Sequence, residues 1–164
     1  MRQIHPLKPI YDKNSKILIL GSFPSEISRK NNFYYANPNN RFWHILEILF
    51  KTKLNSKDDK INLLLNNHIA LWDVIASCEI YKSSDSSIKN IIPNDINKIL
   101  NNSNIKYIFV NGKKALELYN KYLLNTSNIN AIYLPSTSCA IATYTLDKLV
   151  NEYKIIKKKM LDNC

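Results

Sequence analysis

One stretch near the start of the chain concentrates the residue types that bind and process a planar ring: Asn32-Phe33-Tyr34-Tyr35-Ala36-Asn37-Pro38-Asn39-Asn40-Arg41-Phe42-Trp43. Aromatic faces stack on nucleobases with little sequence preference, and carboxamides hydrogen-bond base edges or hold a water. The same residues have a structural use, because Asn39 or Asn40 can cap a helix beginning near Arg41. The two uses are compatible, since a helix N-terminus favours anions. Further polar groups stand at the ends of apolar runs: Ser22 after Gly21, Asp73 after Trp72, Asn111 before Gly112, and Ser136-Thr137-Ser138 after Pro135. Asp73 suits either a base edge or a helix cap or ion pair, and Asn111 suits either a cavity or a plain Asn-Gly turn.

The elements that must position these groups are legible. Four short apolar runs, Ile17–Leu20, Ile69–Trp72, Tyr107–Val110 and Ala131–Leu134, are continuous rather than alternating, as in strands covered on both faces. Between them Phe42, Ile45, Leu46 and Leu49 make one helical face, and Ala115, Leu118, Tyr119 and Tyr122 another. Residues from about Leu146 to Met160 form a last amphipathic helix. Strands separated by helices imply right-handed crossovers and a mainly parallel α/β sheet. In such sheets ligands bind beyond the carboxyl ends of the strands. Both glycines, Gly21 and Gly112, fall at such ends, where close backbone approach or unusual φ calls for glycine.

Composition narrows the class. With 164 residues and no internal repeat or linker-like composition break, residues 1–164 are expected to form a single domain. Two glycines cannot spell a dinucleotide fingerprint or a phosphate loop. No apolar run approaches the ~20 residues of a membrane helix, and the N-terminus lacks the apolar stretch of a signal peptide, so the expectation is a cytoplasmic protein without a membrane partner. Cys78, Cys139 and Cys164 are too few and too scattered for a disulfide framework or an iron–sulfur cluster, and Cys78 and Cys139 are expected to be small buried side chains. No H-E-x-x-H or C-x-x-C occurs, so no metal is expected. Lys and Arg outnumber Asp and Glu by 23 to 13, a net charge of +10. The Lys, Asn and Ile bias is also what an AT-rich genome produces, so the charge favours nucleic acid only modestly.

Gly21-Ser22-Phe23-Pro24-Ser25 followed by Phe33–Trp43 resembles the uracil-DNA glycosylase superfamily, most closely its hypoxanthine (deoxyinosine) DNA glycosylase family. The resemblance continues in order through Leu71-Trp72-Asp73-Val74, Ser84–Ile88, Phe109–Gly112 and Leu134–Ser138. It implies a three-layer α/β/α sandwich around a four-stranded, mainly parallel sheet, in agreement with the pattern of runs. It also implies a monofunctional, cofactor-free glycosylase acting in base excision repair on double- or single-stranded DNA, and a monomer suffices for that task. Many superfamily members carry Asn or Asp at the third position of the first motif, where it helps activate water. Phe23 cannot do so, which disfavours uracil and points to a deaminated purine.

By the resemblance, Asn40 is the catalytic polar residue that holds water against C1′, and Tyr35 is the stacking aromatic. Ser22 and Phe23 present backbone amides to the base, Asp73 accepts from N1–H of hypoxanthine, and Asn111 reaches the same cavity. Lys113, Lys114 and the Ser84–Ser87 run are placed to pinch the DNA backbone, and Ser136, Thr137 and Ser138 to press on the duplex. Two other readings compete: a uracil- or mismatch-specific glycosylase of the same superfamily, and a non-catalytic nucleic-acid-binding domain.

Overall fold

Residues 2–82, 84–140 and 143–162 are described, from a computed structural model; Cys164 lies outside them. A short strand β1 (Arg2–Ile4) precedes the first apolar run, β2 (Ile17–Gly21), and helices α1 (Glu26–Asn31), α2 (Phe42–Phe50) and α3 (Lys57–Asn66). Strands β3 (Ile69–Asp73), β4 (Ile75–Glu79) and β5 (Lys89–Pro93) follow, then α4 (Asn97–Leu100). The chain continues with β6 (Tyr107–Asn111), α5 (Lys113–Tyr122), α6 (Leu124–Ser127), β7 (Ala131–Leu134) and α7 (Leu146–Leu161).

The four predicted strands form one parallel sheet in the order β3-β2-β6-β7. Alternate side chains of the central strands serve two cores. Ile17, Ile19, Ile69, Leu71 and Phe109 pack with Phe42, Ile45, Leu46 and Leu49 of α2, Leu63 and Leu64 of α3, and Leu149, Tyr153 and Ile156 of α7. Leu18, Leu20, Ala70, Ile108 and Val110 pack with Ala115, Leu118 and Tyr119 of α5. Neither face of the central strands β2 and β6 is open to water along its middle, which is why these runs are unbroken rather than alternating; the edge strand β7 is less covered, with Tyr133 exposed. Each buried Leu or Ile contributes about 1.5–3 kcal/mol of transfer free energy. The result is the expected α/β/α sandwich. Helix starts follow ordinary capping chemistry: Ser25, Ser56 and Thr145 each accept a hydrogen bond from a backbone N–H in the first turn of α1, α3 and α7.

A second, antiparallel sheet in the order β1-β4-β5 has no counterpart among the predicted strands. Its strands are short, β1 and β5 are half exposed, β5 carries Lys89, Asn90 and Pro93, and the more buried β4 follows β3 after a single residue, Val74. None of these gives an apolar run or a turn signal. Pairing of Ile4 with Ser77, followed by His5 N–H donating to the Ala76 carbonyl at 2.8 Å, carries the N-terminal segment across the end of β3. Among the described residues, no helix is long and apolar enough to cross a membrane. Cys78 is buried as expected, but Cys139 is exposed. It follows Ser138 in the loop after β7, beyond the reach of either core.

Candidate active site

The carboxyl ends of β2, β3 and β6, with the loops after β2 and β7, enclose a cavity of about 200 Å³. Ser22, Phe23, Tyr35, Asn40, Asp73, Asn111, Ser136, Thr137 and Ser138 all line it. Lys113 and Lys114 do not. They begin α5 on the far side of Gly112, Lys113 exposed and Lys114 3.7 Å from Glu117. The Ser84–Ser87 run forms a short 3-10 turn closed on itself by Ser87 Oγ, which donates to the Ser84 carbonyl at 2.7 Å.

One wall is local in sequence. Asn39 N–H donates to Asn37 Oδ1 at 2.9 Å and Asn40 N–H to the Asn37 carbonyl at 2.9 Å, a tight turn that delivers Asn40 to the start of α2. Phe42 N–H then donates to Asn40 Oδ1 at 2.9 Å. A backbone N–H can only donate, so this bond also fixes which end of the carboxamide is oxygen. That oxygen keeps a second lone pair. Asn40 thus bonds the first turn of α2 through its side chain and lines the cavity, while the N-cap position itself falls to Arg41, one residue later than the sequence suggests. Tyr35, at φ 50°, sits in the left-handed region, unusual for an aromatic residue. Its surroundings impose it: Trp43 Nε1 donates to the Tyr34 carbonyl at 2.9 Å, and Ala36 N–H to Ser28 Oγ at 3.1 Å. The Tyr35 ring stacks on Phe42 at 4.2 Å between centroids, so one face is already covered.

The floor is assembled from distant segments. A Cβ at Gly21 would lie 2.5 Å from Asp73 Oδ1 and 2.9 Å from the Tyr35 hydroxyl, so only glycine lets these two groups meet above the strand end. Asp73 is 4% exposed, and its Oδ2 lies 2.8 Å from Nε2 of His5. Asp73 is therefore paired with a side chain, through a hydrogen bond to His5, without being removed from the cavity. The Tyr35 hydroxyl completes no hydrogen bond of good geometry among the described residues and stands beside Asp73. Burial, then the Asp73 charge, push its pKa well above the usual phenol range. Tyr34 is raised likewise, while its hydroxyl donates to the Lys8 carbonyl at 2.6 Å. The backbone N–H groups of Ser22 and Phe23 donate to no other group among the described residues, leaving two donors at the floor.

The opposite rim is the loop after β7. Asn111 holds it from both ends of its carboxamide: Thr137 N–H donates to Asn111 Oδ1, and Asn111 Nδ2 to Thr137 Oγ1, both at 3.1 Å. Arg41 completes the brace, its guanidinium donating to the carbonyls of Ser138 at 2.8 Å and of Tyr144, and its backbone N–H to the Thr137 carbonyl at 3.0 Å. Gly112, at φ 98°, turns the chain beneath Ser136, 3.2 Å from where a Cβ would stand. His5 and Arg41 support the site from behind its lining, and motif reading passes over both. Arg41 is adjacent to Asn40 and one of three arginines, which is a signal; His5, 68 positions from Asp73, has none in sequence.

The model of the uracil DNA glycosylase superfamily matches residues 8–160, nearly the whole chain. The protein belongs to the uracil DNA glycosylase superfamily. Within that superfamily it is 32% identical over 140 residues to a hypoxanthine DNA glycosylase of Methanosarcina barkeri, covering 78% of this chain and 89% of that one. It is 34% identical over 134 residues to a hypoxanthine DNA glycosylase of Methanosarcina acetivorans, covering 80% and 84%. The fold matches the solution NMR structure of a Methanosarcina acetivorans protein described as a candidate uracil DNA glycosylase. That match has a TM-score of 0.78 and 29% identity over 96% of this chain and 99% of that one. In this chain the cavity is lined by Phe23 from the loop after β2 and by Asn40 ahead of α2.

Proposed function

We propose that this protein is a monofunctional DNA glycosylase that hydrolyses the N-glycosidic bond of deoxyinosine, releases hypoxanthine and so initiates base excision repair. The observation that carries the reading is Asn40: its oxygen is oriented by Phe42 N–H, and it shares a cavity with Asp73 and the unengaged amides of Ser22 and Phe23. The relatives named hypoxanthine DNA glycosylase support the choice of base.

The target nucleotide leaves the stack, which costs roughly a few kcal/mol and least where the base is mispaired. Ser136, Thr137 and Ser138 press against the DNA from the braced rim, and Lys113 and Lys114 attract the phosphates further along. Inside, Tyr35 offers its free face to the purine, Asp73 accepts from N1–H, and Asn111 closes the far edge. As the C1′–N9 bond breaks, the base takes the electron pair and the amides of Ser22 and Phe23 stabilise the charge it gains. Asn40 Oδ1 accepts a hydrogen bond from a water whose oxygen adds to the cationic C1′. The water's second proton leaves to solvent or to the departing base, giving an abasic sugar. An amide is a weak base, so Asn40 acts by position and electrostatics. No lysine adduct forms and the strand is not nicked. The enzyme works as a monomer in the cytoplasm on double- or single-stranded DNA.

The test is incubation with oligonucleotides bearing inosine, uracil, xanthine or 3-methyladenine, single- and double-stranded, followed by alkali. Cleavage at inosine is expected. Cleavage at uracil alone would identify a uracil enzyme, and binding without cleavage a nucleic-acid-binding module.

A further inference from the structure

The pairing of His5 with Asp73 is the most enclosed polar contact between side chains at the site, with side chains 3% and 5% exposed. Its proton can be placed. Leu7 N–H donates to His5 Nδ1 at 3.2 Å. A main-chain N–H is never an acceptor, so Nδ1 is bare, the imidazole is neutral, and its hydrogen resides on Nε2, 2.8 Å from Asp73 Oδ2. His5 therefore donates to one carboxylate oxygen and engages it inside the protein. The other, Oδ1, lies over Gly21 at the cavity floor, where a Cβ would stand 2.5 Å away. The ring is jacketed by Phe23 at 5.9 Å and by Trp72 and Tyr34 at 6.3 Å between centroids. Water is thereby kept off the pair, and the hydrogen bond to the carboxylate is correspondingly strong. The Asp73 main chain is held as well, its carbonyl accepting from Asn94 Nδ2 at 2.9 Å.

We propose that His5 is a positioning residue: as the neutral Nε2–H tautomer it decides which Asp73 oxygen faces the flipped base, and so selects purines with a proton on N1 over adenine. This rests on the reading that the cavity takes a flipped purine. Hypoxanthine presents N–H at position 1, to which a carboxylate oxygen is complementary. Adenine presents a bare nitrogen there, and lone pair would face lone pair. Discrimination of this kind is large when a site leaves its own buried polar group unpaired with the wrong ligand. A carboxylate free to rotate or to draw in water would lose it. The second sheet owes its role at the site to this contact, since pairing of β1 with β4 brings His5 to the end of β3.

The test compares wild type, His5→Phe, His5→Gln and Asp73→Asn for excision of hypoxanthine and of adenine, with thermal melting as the control for folding. His5→Phe is expected to lower kcat/KM on inosine roughly ten- to a hundred-fold and to shrink the hypoxanthine-over-adenine ratio. His5→Gln keeps an N–H near the Nε2 position and should restore most of both. In Asp73→Asn, His5 N–H claims the single amide oxygen and turns the NH2 group to the cavity, so the preference should move toward adenine. Nitrogen NMR of the wild-type imidazole should show a protonated Nε2 and a bare Nδ1. A folded His5→Phe variant with the wild-type ratio, or an imidazole protonated on Nδ1, would overturn the proposal. Should His5→Phe not fold, His5→Gln and the imidazole spectrum decide the matter. A wild type that leaves inosine intact while excising uracil overturns the purine reading instead, and the spectrum, which needs no substrate, tells the two failures apart.

Discussion

Two walls of one cavity are made in opposite ways. The α2 wall comes from a single run, Tyr35 to Arg41, in which Asn37 turns the chain, Asn40 opens the helix and Arg41 reaches across to the loop after β7. The floor comes from three segments far apart in sequence: His5 from the N-terminus, Gly21 from the end of β2 and Asp73 from the end of β3. Neighbours along the chain hold the first in place; only the packed sheets hold the second. On the proposed mechanism, the α2 wall carries the group that meets the reacting carbon, and the floor carries the groups that read the edge of the base. Damage to the wall should therefore appear in the rate of bond cleavage, and damage to the floor in base choice and stability.

The largest effect is expected at the wall. Asn40→Ala should lower single-turnover excision from inosine-containing DNA by about 10²–10³, the usual loss for one preorganised polar group. Affinity for the same DNA, measured by fluorescence anisotropy, should be nearly unchanged. Wild-type turnover would remove Asn40 from the mechanism and dissolve the contrast between the walls. Gly21→Ala tests the floor. Its Cβ must displace the Asp73 carboxylate and the Tyr35 hydroxyl, so a loss of about 1–3 kcal/mol in urea unfolding is expected together with weaker base discrimination. If both properties stay at wild-type values, the floor is not the close-packed contact described here.

Arg41→Lys keeps the charge but cannot span the Ser138 and Tyr144 carbonyls. Excision should fall about ten-fold with base preference retained, and a changed preference would mean that wall and floor are not separable. Tyr35→Phe removes a buried hydroxyl without a well-formed partner, and the melting curve should show unchanged stability or a gain of up to about 1 kcal/mol. The smallest effect is chemical. Burial raises the Cys78 thiol pKa, whereas Cys139 is exposed on the cavity rim, so brief alkylation followed by peptide mass mapping should find Cys139 modified well before Cys78.

Much of this was legible from residue order. The runs at Ile17, Ile69, Tyr107 and Ala131 predict the four parallel strands because a strand buried on both faces has no reason to alternate. The rule that ligands bind beyond carboxyl ends then brings Ser22, Asp73, Asn111 and Ser136 together before any contact is known. The second sheet was not legible: β1 spans three residues and β5 is half exposed, so neither concentrates apolar side chains enough to signal itself. Lys113 and Lys114, expected to meet DNA phosphates rather than the base, begin a helix outside the cavity lining, where Gly112 turns the chain beneath Ser136. At Cys139 residue type suggests burial, whereas the loop after β7 leaves the side chain exposed at the cavity rim.

By itself, the order of amino acids determined the parallel sheet, the turn that presents Asn40 and the absence of a phosphate-binding loop. Each depends on short-range sterics, hydrogen bonding between near neighbours, or the simple requirement that apolar runs be covered. Tertiary structure alone decided that a histidine at position 5 would meet an aspartate at position 73, and that an arginine beside Asn40 would brace the opposite rim. Such contacts cross loops of many tens of residues, and no local preference encodes them. They form because burying both sheets brings the ends of strands together, and a polar group brought there must find a partner or remain in water.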